Sequence, residues 1–359
     1  MVHKFIPLLD FLSAVLTFLL LLVLAIVVYI KWSNDIKNFI LKYMKSKKWT
    51  FGTDNLVKES VEVVPSIAAV GTATNKNDRP NQDACSCLFV EPASAYIVAV
   101  ADGVGSHPHA GAGSAYVVKK ALELLAKAVT ENAADIDFDA LFSEIQDGLN
   151  DYVDKHFPNE SELKPGGCFG TTLIVGIDFP DRFVTAYVGN GGMFNISGYF
   201  AGFSSNIYLP WNAINMLNPH TVEQEGRESL YRIFTWKGDK LDCRPSVFEI
   251  RKNKNFPGEI FVLTTDGVFS NDHLIAGKDG EGTIWIPSSR PVEILFDHLK
   301  KFMLNSGITH DGVSLEKMLK VYLETLKTEK EMFDDTSLGV IISGNSLEYF
   351  EQKRNSIVK

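Results

Sequence analysis

Two apolar runs, each followed directly by an Asp-Gly pair, constrain the fold of this chain most strongly. Ala95–Ala101 precedes Asp102, and Ile260–Thr265 precedes Asp266. Short runs rich in Val, Ile and Phe predict buried strands. A carboxylate directly after such a strand is held on rigid backbone at the rim of a core. Because several such carboxylates would repel one another strongly, we expect cations between them.

An Asp-Gly pair alone is weak evidence, because its ordinary meaning is a turn. The chain contains five such pairs. Asp147 falls within a helical pattern, and Asp279 and Asp311 stand in polar surroundings that predict turns. Only Asp102 and Asp266 end long apolar runs, so these two are the candidates for a site.

Two further acidic residues border predicted strands, since Asp334 comes shortly before Ser337–Ser343 and Asp83 directly before Ala84–Val90. With Asp102 and Asp266 they bring about four negative charges, which two divalent ions balance. Oxygen-only ligands favour Mg²⁺ or Mn²⁺ over Zn²⁺. Two ions about 3.5–4 Å apart can clamp the attacking and leaving oxygens of a phosphoryl transfer. Gly103 has no side chain, so its carbonyl could approach a metal.

Other phosphoryl-transfer chemistries lack their residues. None of the four Cys is followed six positions later by Arg, as a cysteine-nucleophile phosphatase requires. The Walker motif, the His-Glu-x-x-His motif and the protein-kinase signatures are also missing. The overall charge also limits the possible partners. The chain has 35 Lys and Arg residues and 44 Asp and Glu residues, which gives a net charge of −9. This acidic balance argues against a nucleic-acid partner.

The N-terminus predicts a membrane anchor. Phe11–Ile30 is a run of 20 residues without a formal charge, and a helix of about 20 residues spans the roughly 30 Å bilayer core. Six Lys lie between Lys31 and Lys48, which places the following globule in the cytoplasm by the positive-inside rule. We therefore expect a single-pass protein of the cell (inner or plasma) membrane with its catalytic domain in the cytoplasm.

The rest of the chain reads as strands in pairs and helices in pairs, which favours antiparallel sheets with helices outside over a doubly wound parallel sheet. Gly198–Phe248 fits least well and is interpreted as an insertion or flap. The predicted helices are apolar stripes that begin near Val118, Phe138, Val292 and Leu315. The predicted strands are Ser66–Ala73, Ala84–Val90, Ala95–Ala101, Thr172–Ile177, Arg182–Val188, Leu230–Trp236, Glu259–Thr265 and Ser337–Ser343.

Five segments in order resemble the metal-dependent protein phosphatase 2C family, and most closely its bacterial branch. They extend over roughly Ser66 to Ser343. The matching segments are Arg79-Pro80-Asn81-Gln82-Asp83-Ala84, Val100-Ala101-Asp102-Gly103-Val104-Gly105-Ser106, Gly170-Thr171-Thr172-Leu173, Leu263-Thr264-Thr265-Asp266-Gly267-Val268 and Asp334-Asp335-Thr336-Ser337.

The resemblance implies an α+β fold, a four-layer αββα sandwich of two antiparallel sheets flanked by helices, here preceded by one transmembrane helix. It also implies dephosphorylation of phosphoserine or phosphothreonine by a hydroxide that bridges two Mn²⁺ or Mg²⁺ ions. Asp102 would then bridge both ions, Gly103 would offer its carbonyl to the second, and Asp266 and Asp334 would bind the first. Asp83 would hold metal-bound water.

This chain departs from the family at several positions. Gln82 stands where the family often has Glu, so it is a candidate ligand with one charge fewer. Arg79 lies one residue from the usual place of the phosphate-binding Arg and remains a candidate for that contact. Asn190 replaces an Asp of the family, which argues against a third metal. Val104 replaces a His of eukaryotic members, and His107 matches a His of several bacterial members.

We expect three parts: an anchor and basic linker over 1–50, a phosphatase-like domain over 60–346 and a tail over 347–359. The expected partners are a phosphorylated protein substrate, a cognate serine/threonine kinase and the membrane. Two alternatives stay open. The chain could be a membrane-tethered pseudophosphatase that binds phosphoproteins with little turnover, or a metal-stabilised scaffold without a phosphate role.

Overall fold

The computed structural model describes residues 65–75, 80–158, 164–197, 212–224, 227–252, 259–269, 274–278, 283–287 and 290–357. All of them belong to one compact unit, Val63–Lys359. Within this part of the chain, no helix is long and apolar enough to cross a membrane. The predicted anchor Phe11–Ile30 lies outside the described residues and stays a prediction.

Two five-stranded antiparallel sheets form the centre of the fold. The first sheet has the order β1-β14-β11-β6-β7 and the second has the order β10-β5-β4-β3-β2. The first comprises β1 (Ile67–Ala73), β6 (Gly192–Ser197), β7 (Asn212–Asn215), β11 (Glu259–Thr264) and β14 (Thr336–Ile342). The second comprises β2 (Ala84–Val90), β3 (Ala95–Ala101), β4 (Leu173–Asp178), β5 (Arg182–Val188) and β10 (Ser246–Arg251).

Two hairpins and five helices complete the described elements. The hairpins are β8 (Thr221–Gln224) with β9 (Arg227–Leu230), and β12 (Leu274–Lys278) with β13 (Thr283–Pro287). The helices are α1 (Ala110–Asn132), α2 (Phe138–His156), α3 (Arg290–Leu304), α4 (Gly312–Glu329) and α5 (Gly344–Ile357).

Three buried clusters show how the layers are arranged. One cluster joins helices α1 and α2 to the outer face of the second sheet, with Leu125 and Phe142 fully buried. Another joins helices α3 and α4 to the outer face of the first sheet, with Leu295 and Leu319 fully buried. The third fills the space between the two sheets. The order is therefore helices, sheet, sheet, helices, which confirms the expected α+β sandwich of antiparallel sheets.

Close packing between the sheets depends on ring stacking and on one glycine. The rings of Phe183 on β5 and Phe261 on β11 stack with centroids 3.7 Å apart and an interplanar angle of 7°. Gly339 on β14 faces Val98 on β3, and a β-carbon at position 339 would overlap the Val98 side chain. The two sheets can approach this closely only because position 339 carries no side chain.

Most of the predicted elements are confirmed, and one strand is wrong. Seven of the eight predicted strands agree with the structure to within a residue or two at each end. The predicted strand Leu230–Trp236 is not formed, since β9 ends at Leu230 and only Phe234 makes an isolated bridge, to Thr171. The apolar pattern that predicted a strand here comes from a buried loop, since Phe234 is fully buried.

The starts of α2, α3 and α4 lie within three residues of the predicted ones, whereas α1 begins at Ala110, eight residues before the predicted Val118. The Asp137 carboxylate accepts a hydrogen bond from the Ala140 amide and caps α2. Asp311, a predicted turn, instead caps α4 by accepting a hydrogen bond from the Ser314 amide. Asp147 lies within α2. The Asp-Gly dipeptide therefore occurs inside a helix at Asp147, at the N-cap of a helix at Asp311, and after strands at Asp102 and Asp266.

A buried ion pair stands where β4 ends. Lys252 Nζ lies 2.6 Å from Asp178 Oδ1, and both side chains are about 95% or more buried. Lys252 Nζ also donates to the Phe179 carbonyl at 2.6 Å. Asp178 pairs with Tyr96, near the start of β3, so the ion pair lies at the end of the second sheet away from Asp102. Each charge is buried next to its partner, as burial of charge requires.

Truncating a side chain between the sheets tests this packing. Leu263 is fully buried between the sheets, whereas Leu241 is 71% exposed. We expect Leu263→Ala to lower the free energy of unfolding by about 2–5 kcal/mol, because it opens a cavity. The matched control Leu241→Ala should change it by less than about 0.5 kcal/mol. Chemical denaturation of the full chain measures both, and equal effects would contradict the assigned layers.

Candidate metal centre

The carboxylates singled out in the sequence come together at one end of the sandwich. Asp102 follows β3, Asp266 follows β11 after Thr265, and Asp334 comes two residues before β14. Strands β11 and β14 are antiparallel, with Thr264 opposite Leu338, so the end of β11 and the start of β14 share one edge. Asp102, Asp266 and Asp334 line a single cavity of about 360 Å³. This arrangement confirms that the three strand ends converge.

Asp83 lies beneath this cavity and is held by Thr265. The Asp83 side chain is only 8% exposed, and its Oδ2 accepts a hydrogen bond from Thr265 Oγ1 at 2.7 Å. Thr265 Oγ1 in turn accepts the Ser337 amide at 2.9 Å. The Asp102 carboxyl lies beside Asp83 and, when protonated, donates a hydrogen bond to the Asp83 carboxylate. Asp83 Oδ1 is buried, and no other donor among the described residues reaches it.

Asp335 plays a structural part next to Asp334. Its Oδ1 accepts hydrogen bonds from Thr74 Oγ1 at 2.8 Å and from the Asn75 amide at 3.2 Å. Its Oδ2 accepts the Gln82 amide at 2.8 Å. Asp335 therefore ties the segments after β1 and before β2 to the start of β14. The Gln82 side chain lines the cavity, which is compatible with the predicted ligand role but does not test it.

The need for glycine at position 103 has a cause that the sequence did not reveal. A β-carbon on Gly103 would lie 2.5 Å from the Gln82 carbonyl oxygen and about 3 Å from Ala110. The absent side chain therefore allows three segments to pack together. Gly103 lines the cavity with Asp102, so its carbonyl is placed near the carboxylates, while a bond from it to a metal stays a prediction.

The backbone around Asp102 is fixed by two threonines that the site prediction had not assigned a role. The Asp102 amide donates to Thr172 Oγ1 at 2.9 Å, and Thr171 Oγ1 donates to the Asp102 carbonyl at 2.8 Å. The Thr172 amide donates to the same carbonyl. The sequence signal was the Gly-Thr-Thr segment, which the resemblance had already marked.

Burial and mutual repulsion make these carboxylates hard to ionise together. Burial, and after it the negative charges of Asp83, Asp334 and Asp335, raise the pKa of Asp102 well above 3.8. Burial raises the pKa of Asp83 to about 7, although the hydrogen bond from Thr265 lowers it. Without cations, these shifts favour the protonated forms of Asp102 and Asp83.

The donor set fits hard divalent ions. The acidic side chains that line the cavity offer only oxygen atoms, which are the ligands that Mg²⁺ and Mn²⁺ prefer. Divalent cations would relieve the repulsion that raises the pKa values of Asp83 and Asp102. No three His, Cys, Asp or Glu side chains in the described ranges already form a group spaced to hold a metal ion.

Two histidines near the cavity differ in their surroundings. His107 lines the cavity, and burial lowers its pKa, so its ring is neutral at pH 7. His109, two residues further along the chain, is exposed and stacks on Phe169 with ring centroids 5.1 Å apart. Arg79, the predicted phosphate contact, lies outside the described residues.

The β8–β9 hairpin adds a wall that the sequence did not predict in detail. Thr221 from its first strand, Ser229 and Leu230 from its second and the nearby Ile233 line the same cavity as Asp102. The hairpin belongs to neither large sheet. It falls within Gly198–Phe248, the segment interpreted as an insertion or flap.

Comparison with known proteins finds similar folds among solved structures. No curated protein sequence matches the chain. Among solved structures, serine-threonine phosphatase 2C from Toxoplasma gondii has 11% identity and a TM-score of 0.50, covering 78% of this chain and 95% of its own. The phosphatase Stp1 from Staphylococcus aureus has 16% identity and a TM-score of 0.47, covering 77% and 94%. The phosphatase PstP, solved with two manganese ions, has 16% identity and a TM-score of 0.45, covering 77% and 97%.

A family model described as protein phosphatase 2C matches residues 70–301. This match spans well over half of the chain and includes β3, β11 and the carboxylates that follow them. The chain belongs to the protein phosphatase 2C family of serine/threonine phosphatases.

Proposed function

We propose that the chain hydrolyses phosphoserine and phosphothreonine in proteins, using two Mn²⁺ or Mg²⁺ ions held at the cavity. One observation carries this proposal: carboxylates from three separate strand ends line one cavity. Asp102, Asp266 and Asp334 would hold the ions with the Gly103 carbonyl, and Asp83 would act through water. When bound, the ions supply Lewis acidity that activates the attacking water and neutralises charge on the phosphoryl group.

The chain's own groups explain how this site stays organised. The hydrogen bonds of Thr171 and Thr172 fix the Asp102 backbone, and Thr265 fixes the Asp83 carboxylate. Asp335 joins the segments after β1 and before β2 to the start of β14, next to the cavity. Because these partners are in place before a substrate arrives, little reorganisation is needed during the reaction.

The proposed substrate, a phosphorylated protein, rests on the family of the chain and on the positive charge of Arg79. A phosphorylated protein is the substrate class of a protein phosphatase, and a cognate serine/threonine kinase would supply it. Arg79 is our candidate for the cation that binds the phosphoryl group, since it precedes Gln82 and Asp83 by only a few residues.

We also propose that the enzyme works at the cytoplasmic face of a membrane. The uncharged run Phe11–Ile30 and the six Lys between Lys31 and Lys48 support this location. We expect the full chain expressed in bacteria to sediment with membranes and to resist extraction by alkaline carbonate. A variant lacking 1–50 should be recovered in the supernatant. Release of the full chain by carbonate would contradict the anchor.

Removing one carboxylate charge tests the metal site. Loss of a residue that only supports a metal ligand typically costs about 10- to 100-fold in activity. Because Asp102→Asn removes a direct ligand, we expect it to lower kcat/KM for a chromogenic phosphate ester by more than that. Asp147→Asn is the matched control, since Asp147 is also followed by Gly but lies exposed on α2. Its rate should stay within about twofold of the parent.

The same assay separates the enzyme from the alternative functions. Gln82, which stands where the family often has Glu, is one reason to consider a pseudophosphatase. The intact set of Asp102, Asp266 and Asp334 argues against it. Turnover that requires Mn²⁺ in the parent chain supports the enzyme. Phosphopeptide binding without Mn²⁺-dependent turnover would support the pseudophosphatase instead, and neither binding nor turnover would leave a metal-stabilised scaffold.

The raised carboxyl pKa values predict how stability depends on pH in the metal-free protein. A folded-state pKa of about 7 for Asp83 exceeds the unfolded value of 3.8, so the folded state binds more protons between these values. The free energy of unfolding of the metal-free protein should therefore fall as pH rises from about 4 to about 7. Excess Mn²⁺ should stabilise the fold more at higher pH, because it binds deprotonated carboxylates.

Thermal melting of the full chain in EDTA and in Mn²⁺, at several pH values, measures both trends. Asp83→Asn should make the metal-free melting temperature less dependent on pH than in the parent. A metal-free melting temperature that rises over the same interval would contradict the assigned carboxyl environment.

A further inference from the structure

A glycine-rich loop between β5 and β6 packs against two of the strand ends that form the site. Gly189 and Gly191 have φ angles of +104° and +121°, which side-chain-bearing residues rarely adopt. A β-carbon on Gly189 would overlap the Thr172 side chain, and one on Gly191 would overlap the Thr264 carbonyl oxygen. The loop is therefore held between the strand before Asp266 and the segment that supports Asp102.

Asn190, at the centre of this loop, contacts Asp266 directly. Asn190 Nδ2 donates to Asp266 Oδ2 at 3.1 Å. The direction of this bond is fixed by chemistry, because a carboxylate only accepts and a turned amide would place two oxygens against each other. Asn190 also lines the cavity, and its Oδ1 is buried without a hydrogen-bond partner in the described part of the chain.

His220 binds both backbone groups of Gly189, the residue that precedes Asn190. The Gly189 amide donates to His220 Nδ1 at 3.2 Å, and the His220 amide donates to the Gly189 carbonyl at 2.9 Å. The neutral ring then carries its proton on Nε2, which lies 2.9 Å from Ser246 Oγ. The ring also stacks on Tyr187, with centroids 4.8 Å apart. These contacts leave the loop little freedom to move.

We propose that Asn190 is a positioning residue, which orients the Asp266 carboxylate for metal binding, and that His220 holds the loop carrying Asn190. This inference rests on the proposed metal site at Asp266. A neutral amide donates to the carboxylate without adding a charge, so it orients Asp266 and leaves the charge of the site unchanged. Asn190 does not itself have to touch substrate or metal for this role.

Direct measurement of Mn²⁺ binding to the full chain tests the proposal. We expect Asn190→Ala to weaken Mn²⁺ binding by about 10- to 100-fold, the range for lost outer-shell partners, as measured by calorimetric titration. The metal-free melting temperature should stay close to that of the parent. His220→Phe keeps a ring against Tyr187 but removes both ring-nitrogen bonds, and it should weaken Mn²⁺ binding in the same direction.

The double variant shows whether the two residues act through one contact. If His220 acts through Asn190, Asn190→Ala combined with His220→Phe should bind Mn²⁺ no more weakly than Asn190→Ala alone. Additive losses would overturn the assigned role of His220. Asn218→Ala is the matched control, since Asn218 lies close to His220 in sequence and is exposed; its Mn²⁺ affinity should equal that of the parent.

The outcomes separate this inference from the proposed function. If the parent chain does not bind Mn²⁺, the proposed function fails. If the parent binds Mn²⁺ and Asn190→Ala binds it equally well, only the positioning role is overturned. A lower metal-free melting temperature with unchanged Mn²⁺ affinity would show that Asn190 is merely structural, which also overturns the proposal.

Discussion

Repulsion among buried carboxylates is the constraint on which the rest of this structure depends. Asp102 and Asp83 have raised pKa values because burial and neighbouring negative charges disfavour their ionised forms. A fold can hold such groups together only if rigid backbone keeps them in place. Here each one follows or precedes a strand of a packed sheet. Divalent ions would turn this costly arrangement into a stable one.

The sandwich supplies the rigidity that this repulsion demands. Strand β3 lies between β2 and β4, and β11 lies between β14 and β6, so Asp102 and Asp266 follow interior strands of different sheets. The stacked rings of Phe183 and Phe261 and the bare backbone at Gly339 keep the sheets in close contact. The distance between the two carboxylates is thereby set by the core between the sheets, far more than by any loop.

Strand ends could be predicted from the sequence because they depend on local patterns. Asp102 and Asp266 stand out since each follows an apolar run, and the structure confirms that both line one cavity. The hydrogen bond from Thr265 to Asp83 joins residues 182 positions apart, and no local pattern encodes it. The bond from Asn190 to Asp266 was missed for the same reason, and Phe234 misled because a buried loop residue resembles a strand residue.

The residues that line the cavity come from two parts of the fold, one held tightly by the sheets and one held less tightly. Asp102, Asp266 and Asp334 flank interior strands, whereas Thr221, Ser229 and Leu230 belong to a hairpin outside both sheets. Mutations in the hairpin leave the inter-sheet core intact, so they are tolerated more readily than mutations at the strand ends. The side of the cavity formed by Thr221, Ser229 and Leu230 can therefore change in shape and polarity while the carboxylates keep their places.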